Sequence, residues 1–463
     1  MRKPFVTSTA RAIMRLAFIS GILVAGGAIS PSLRHVVVAG QTQTTLNVVG
    51  FEIQPSDKGT MLDKAHRAFL ADFQKAHPDI KLNSEQTSPN FDTQLTVNLA
   101  SGTAPDVWYQ DASTLAPLIH GHYLLDMRKC LSLAPHLSLT RFFPTVLAIH
   151  RQADGALYGL PDDFTPMVIY YNPQVFTRAH VTLPTATWTW SDLLTDAQLL
   201  TLDSKGRTAR DPHFDAQHVV QYGFRVRKYT LEWIYRVWEN GSDVLSPNGT
   251  TAKGYLDSPA TIQTLQFLQD MVLKYHVSPP PSTLDRLTQS LAFDDRFLKG
   301  QFAMFDRGHW ELVPLQHSTV FSASAVRVAS QPAKKNADTV IYESGWEIPA
   351  NIAPGKLKAA CQLVDAATDR QYQDTNAITG NAIAANIASA QAQMKTSRFP
   401  ALEQVFIHAV AHGRTPYGAK FWKWPPIETM LDSMMERILA GGNVKSVVAQ
   451  TVPQIDNELA RSR

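Results

Sequence analysis

Residues 46–111 read LNVVGFEIQPSDKGTMLDKAHRAFLADFQKAHPDIKLNSEQTSPNFDTQLTVNLASGTAPDVWYQD. This stretch decides the fold. Leu46 to Phe51 is a short β-forming run. Leu62, Ala65, Phe69, Phe73 and Ala76 then recur at spacings of three and four, the period of a helix with one apolar face. His77-Pro78 ends that helix, because the residue before a proline is pushed out of helical geometry. Ile80 and Leu82 alternate with polar residues as a second strand. Phe91, Leu95 and Leu99 mark another helix, which stops near Gly102, and Pro105-Asp106 opens the strand Val107-Trp108-Tyr109. A β-α-β-α-β order predicts an α/β fold built on a mainly parallel sheet with helices on both faces.

Further along, Phe297 to Trp310 reads FLKGQFAMFDRGHW. It predicts a helix end, a glycine stop at Gly300, a buried strand from Phe302 to Phe305, and a glycine turn that presents Trp310. In LPTATWTWSDLL (183–194), Thr189 with Asp192 three residues later is a helix N-cap signal. The chain has no internal repeat, and Lys205-Gly206-Arg207 and Pro279-Pro280-Pro281 read as local turns. A length of 463 residues suits two lobes better than one core.

Five stretches together resemble the bacterial extracellular solute-binding proteins of family 1, the maltose-binding-protein-like sugar-capturing subunits of ABC importers. They are DFQKAHPDIKL (72–82), LASGTAPDVWYQD (99–111), DGALYGLPDDFTPMVIYYNPQVF (154–176), LPTATWTWSDLL and the F-x-x-G-x-x-A-M…G-x-W of 297–310. They arrive in the family's order. YESGWEIPANI (342–352), ITGNAIAANIAS (378–389) and FWKWPPIETMLDSMMERILAGG (421–442) resemble its later parts more loosely. The resemblance implies two α/β lobes, each with a mainly parallel sheet, joined by hinge crossings placed near 165, 325 and 380. The expected division is a signal peptide at 1–40, a first lobe of 41–165 plus 325–380, and a second of 166–324 plus 381–463.

Charge and leader fit an exported protein. Lys and Arg number 43 against 40 Asp and Glu, but residues 1–40 hold five of the bases (Arg2, Lys3, Arg11, Arg15, Arg34) and no acid. The remainder carries 43 − 5 = 38 bases and 40 acids, a balance that gives no reason to expect nucleic acid as a partner. The basic segment precedes an apolar run, Leu16–Ile29, and Val38-Ala39-Gly40 offers a small-residue cleavage site before Gln41. The alternative is a retained anchor, although the run of 14 residues with three glycines is shorter than the roughly 20 apolar residues of a spanning helix. Cys130 and Cys361 lie far from the leader, so a lipid-attachment cysteine is missing there. Export permits a disulfide between them, and two buried thiols are the alternative.

The chain contains no G-x-S-x-G, no P-loop, no G-x-G-x-x-G after a strand, no H-E-x-x-H and no C-x-x-C. His408 and His412 are four apart, but no third ligand at metal-site spacing accompanies them. Asp162-Asp163 and Asp294-Asp295 are adjacent pairs, whereas a glycosidase needs two carboxyls across a sugar. No cofactor or metal is expected.

The expected site is a sugar cleft. Pyranose rings pack apolar faces on indoles and exchange hydroxyl–water bonds for protein bonds, so aromatics must mix with polar groups. By resemblance, Trp310 sits on a cleft turn, Trp422 and Trp424 approach from before the last helices, and Asp163, Phe164 and Thr165 look into the cleft. Alternation places Trp422 and Trp424 on one side if the stretch is extended. Asp111 follows a strand end, where open α/β sheets bind ligands. Trp233 and Trp346 complete the candidates, with core packing the alternative for Trp233, while Trp188 and Trp190 read as structural. The resulting expectation is an exported, monomeric protein at the outer face of the cytoplasmic membrane or in the periplasm. It binds a sugar or oligosaccharide and delivers it to ABC permease subunits. The rivals are a secreted polysaccharide-acting enzyme and a sensory module for a membrane receptor. Arg225, Arg227 and Arg307 leave an anionic solute open.

Overall fold

A computed structural model describes residues 43–51, 61–85, 91–290, 292–377 and 380–461. The secretory segment read over 1–40 lies outside the described residues, as does the side chain of Leu62. The opening stretch folds as its periodicity dictates. Strand β1 (Thr44–Val49) pairs in parallel with β2 (Ile80–Glu85) and with β3 (Val107–Asp111). Helices Met61–Ala76 and Phe91–Ser101 connect them. Phe73, from the first helix, and Ile80 are buried with Leu46 and Val48, while Leu95 and Leu99 pack on Trp108.

Strand β4 (Leu160–Pro166) belongs to the same sheet, and one residue later β5 (Val168–Tyr171) begins a second one. A two-stranded ribbon follows, β6 (Leu202–Asp203) with β7 (Val219–Gln221). Strands β8 (Met304–Arg307) and β9 (Arg327–Ala329) flank β5. Strand β10 (Thr339–Glu347) returns to the large sheet between β3 and β4, β11 (Ile383–Ala384) adds its edge, and β12 (Gly413–Arg414) pairs with β10. The large sheet therefore runs β11-β4-β10-β3-β1-β2 and the small one β8-β5-β9.

Of the mainly parallel sheets expected, parallel pairing holds for β1 with β2 and β3 and for β10 with β12. Strand β10 is antiparallel to both β3 and β4, and the small sheet is antiparallel throughout. The chain leaves the large sheet through β4, builds the small sheet, and returns through β10 running opposite to both β3 and β4.

Around the small sheet, Met167, Ile169, Phe176 and Leu193 join Trp233, Trp238, Leu265 and the C-terminal helices Trp424–Leu439 and Val444–Ala460 in one core. Thr189 caps helix Trp190–Leu200 by a reciprocal box with Asp192. Cys130 and Cys361 form a disulfide that ties the segment after β3 to helix Pro354–Ala367. Both residues are buried in the core of the large sheet.

Candidate functional site

Register places the site. Across β3 and β10, Asp111 faces Ser344 and Tyr109 faces Trp346, while across β4 Asp163 also faces Ser344. These side chains share one face of the sheet. A bulge between Ser344 and Gly345 admits Asp162 beside them. Together they line a cavity of about 240 Å3 near the carboxyl ends of β1 and β3, completed by Phe91, Asp92, His66, Tyr372, Asn376 and Asn381. Ligands of open α/β sheets bind at such strand ends.

The polar floor is well ordered. The Tyr109 hydroxyl donates to Asp163 Oδ2 at 2.7 Å. The Trp346 indole N–H and the Gln373 amide donate to Asp162 Oδ1, each at 2.9 Å, and Asn376 donates to Oδ2 at 3.1 Å. Trp346 packs on Phe51 and Tyr109, with ring centres 4.6 and 5.4 Å away. Burial pushes Asp163 up to about 7, although the Tyr109 bond works in the other direction. Burial, and then the neighbouring Asp163, raise Asp162 well above the carboxylate range. Asp111 is exposed at its strand end and caps the next turn by accepting from the Ser113 N–H at 2.7 Å.

Thr165 ties the crossover to the tryptophan turn. Its Oγ1 accepts from the His309 N–H at 2.6 Å, and the Tyr170 hydroxyl donates to the Gly308 carbonyl at 2.9 Å. Gly308 is extended, so its role is close approach: a Cβ there would lie 2.2 Å from the Trp310 ring. Trp310 is half-buried and meets Tyr342 edge-on at 6.1 Å. Tyr342 lies two residues along β10 from Ser344, on the cavity face.

Of the sequence candidates, Asp111, Asp163 and Trp346 line the cavity. Trp310 and Thr165 do not line it, but both adjoin Tyr342 on the same face of β10, Trp310 by an edge-on ring contact and Thr165 as its partner across β4. The remaining four do not reach it. Phe164 is buried against Phe143 on the opposite face of β4, as strand alternation requires. Trp233 is buried in the small-sheet core and donates to the Lys228 carbonyl. Trp422 and Trp424 do not share a side, because Trp424 opens a helix followed by two prolines. Trp424 stacks on Tyr417 with ring centres 4.5 Å apart, and Trp422 stacks on His120 instead.

The residues that sequence reasoning passed over are Tyr109, Ser344, His66, Tyr372 and Asp162. Alternation from Asp111 gives Tyr109, and alternation from Trp346 gives Ser344. The bulge that turns Asp162 inward leaves no such trace.

Opposite in charge, Arg225, Arg227 and Arg307 all converge on Glu232, Arg225 at 3.2 Å and Arg227 at 2.8 Å, and Arg307 also holds Glu311 at 2.9 Å. Burial opposes ionisation of Glu232, but the three guanidiniums win and its pKa is lowered. Glu232 and Glu311 offset two of the three guanidinium charges, which weakens the case for an anion site. Among the described residues, no group of three or more His, Cys, Asp or Glu is placed to hold a metal ion.

Comparison with known proteins gives consistent results. Residues 58–374 match the family model described as bacterial extracellular solute-binding protein. A binding protein from Brucella abortus (strain 2308) is 26% identical over 227 residues, 46% of this chain and 47% of the relative, so the match spans about half the length of that protein. An ABC substrate-binding protein of Listeria monocytogenes, solved in complex with cycloalternan, superposes with a TM-score of 0.74 at 20% identity, over 91% of this chain and 100% of the other. The sugar-binding protein MalE of Xanthomonas citri gives 0.73 at 16% identity, over 90% and 98%. A solute-binding protein of Thermotoga lettingae bound with alpha-D-tagatose gives 0.70 at 18%, over 90% and 100%. At these identities the structural likeness shows the two-lobed fold.

Proposed function

The chain belongs to the bacterial extracellular solute-binding proteins, and from that premise we propose that it captures a carbohydrate and passes it to an ABC permease. The observation that carries the reading is the make-up of the cavity, where the Tyr109 and Trp346 rings stand beside Asp111, Asp163, Asn376 and Asn381. Ring faces suit the apolar side of a pyranose, and carboxylates and amides suit its hydroxyls. The complexes with cycloalternan and alpha-D-tagatose among the similar structures support the same reading.

The proposed lobes follow the expected division, 41–165 plus 325–380 and 166–324 plus 381–463, with the later bounds moved so that β9 stays with the small sheet and β11 with the large one. Their hinge runs through Met167, between β4 and β5, and through the segment between β9 and β10. A solute that touches both lobes lowers the free energy of the closed form alone, so binding and closure are coupled. The chemistry is non-covalent, since the site's task is recognition and release. Export through the N-terminal segment and delivery to the permease as a monomer complete the proposal. No described helix is long and apolar enough to cross a membrane.

A thermal-shift screen over neutral, amino and acidic sugars tests the assignment, because a solute that binds only the native state raises its melting temperature. A saturable shift with at least one sugar is expected. No shift across the panel, or repeated turnover of any glycan, would overturn it.

A further inference from the structure

The cavity also carries information about which carbohydrate it takes, an inference that rests on the reading above. Four carboxylates line it, Asp92, Asp111, Asp162 and Asp163, and no Lys or Arg side chain does. Several buried acids elsewhere have guanidinium partners, although Glu343 and Glu403 meet histidines and Glu347 has no hydrogen-bond partner among the described residues. Asp306 and Glu239 pair with Arg236 at 2.9 Å, Glu232 with three arginines, and Asp365 with Arg141 at 3.0 Å. Among the described residues the cavity acids have no such partner. Asp163 is only 9% exposed and turns into the cavity with the Tyr109 hydroxyl, not a cation, on Oδ2. An enclosed carboxylate without a counter-charge is costly to ionise.

Several donors of the wall are committed as well, though Asn381, His66 and Ser344 also line it. The Tyr109 hydroxyl, the Trp346 indole N–H and the Asn376 amide serve Asp163 and Asp162, and the Gln110 amide serves Thr114. The wall is therefore rich in acceptors. A sugar hydroxyl needs donors for its own oxygen, whereas an ammonium has three donors and no acceptor. Independently of the acids, the Tyr109 and Trp346 planes meet at 58°, forming an aromatic corner, and aromatic faces attract cations.

We propose that the cavity selects a sugar bearing an ammonium group, an amino sugar or its short oligomer, with Asp163 and Asp111 as counter-charges and the Tyr109–Trp346 corner as its aromatic wall.

Three disaccharides with one β-1,4-linked glucose skeleton test this: the glucosamine dimer, its di-N-acetylated form and cellobiose, titrated calorimetrically below the pKa of the amine. The glucosamine dimer is expected to bind about tenfold or more tightly than either neutral analogue. Asp163→Asn and Asp111→Asn, each with a cooperative melt showing that it folds, are expected to bring the affinity for the glucosamine dimer down to that for the two neutral dimers in the same variant. Equal or tighter binding of a neutral dimer, or an unchanged preference in both variants, would overturn the inference while the carbohydrate reading stands. Putrescine is the control without a ring. If it binds while no sugar does, both readings fail.

Discussion

The His120 imidazole lies flat against the Trp422 indole, with ring centres 4.1 Å apart and planes within 3° of parallel. His120 ends the helix Leu115–His120 that follows β3, the strand carrying Tyr109 and Asp111, and Trp422 precedes the helix Trp424–Leu439. The backbones also touch here, since a Cβ on Gly418 would lie 1.9 Å from the Ser113 carbonyl oxygen. In the proposed division the first partner belongs to one lobe and the second to the other, and the stack is taken as a contact of the closed form, the only kind that favours closure. An aromatic pair contributes about 0.5–1.5 kcal/mol beyond its buried area. Trp422→Ala should therefore weaken solute binding by roughly two- to tenfold, with a larger radius of gyration at subsaturating solute. Calorimetry and small-angle scattering report the two. Unchanged values in both would remove the contact from the closure mechanism.

Trp310 should matter for affinity more than for folding. It is half-buried against Tyr342, beside the cavity face of β10. Trp310→Ala should cost about 1–3 kcal/mol of binding, and Gly308→Ala should cost part of that by displacing the ring. Trp190 is the contrast, stacked on Phe267 at 4.6 Å and donating to Glu239 at 2.6 Å inside the core. Trp190→Ala should lower stability by about 3–5 kcal/mol and leave the affinity of the folded fraction intact. Chemical denaturation and calorimetry separate the two effects.

Reduction of Cys130–Cys361 should lower the melting temperature without changing solute affinity. The bond closes a loop between positions 231 apart and lies in the core, not among the residues lining the cavity. Constraining the unfolded chain over such a loop is worth about 2–5 kcal/mol. Melting with and without reductant, beside Cys130→Ala/Cys361→Ala, checks it. An unchanged melting temperature would contradict the expectation.

Stability should fall as pH rises. Burial pushes Asp163 and Asp294 up to about 7 and Glu239 up to about 8. For Asp294, the Glu311 carboxyl adds to the shift. A carboxyl raised in the folded state contributes stability that is full below its unfolded pKa of about 4 and is lost as pH climbs through the folded value. His150, pushed down to about 3 by burial, has the opposite sign: its contribution is present above about 6.5 and is lost as pH falls. The three acids outweigh one histidine, so the melting temperature should decline from about pH 5 to 8, most steeply above about 6.5. Asp294→Asn should flatten that slope. A melting temperature that rises over this range would contradict the assignment.

The parts legible in the sequence were those set by short-range patterns. The first three strands and two helices follow from periods of two and 3.6, and the Thr189–Asp192 box from a spacing of three. The insertion of β10 between β3 and β4 joins residues more than 170 apart from β4, and no local pattern encodes which edge a returning strand takes. The site divides in the same way. Asp111 follows from a strand end, Asp163 and Trp310 from the family resemblance, but Asp162 enters through a bulge. Trp422 and Trp424 were separable, since Pro425-Pro426 signals a helix start that breaks strand alternation.

The most direct test of the account is a calorimetric titration of the purified protein with the carbohydrate selected by thermal shift, followed by chromatography of the recovered solute. The account predicts saturable binding of one molecule per chain, loss of that binding with Asp163→Asn and Trp310→Ala combined, and recovery of the solute unchanged. Absence of saturable binding with every sugar, undiminished affinity in the double variant, or conversion of the solute would contradict it.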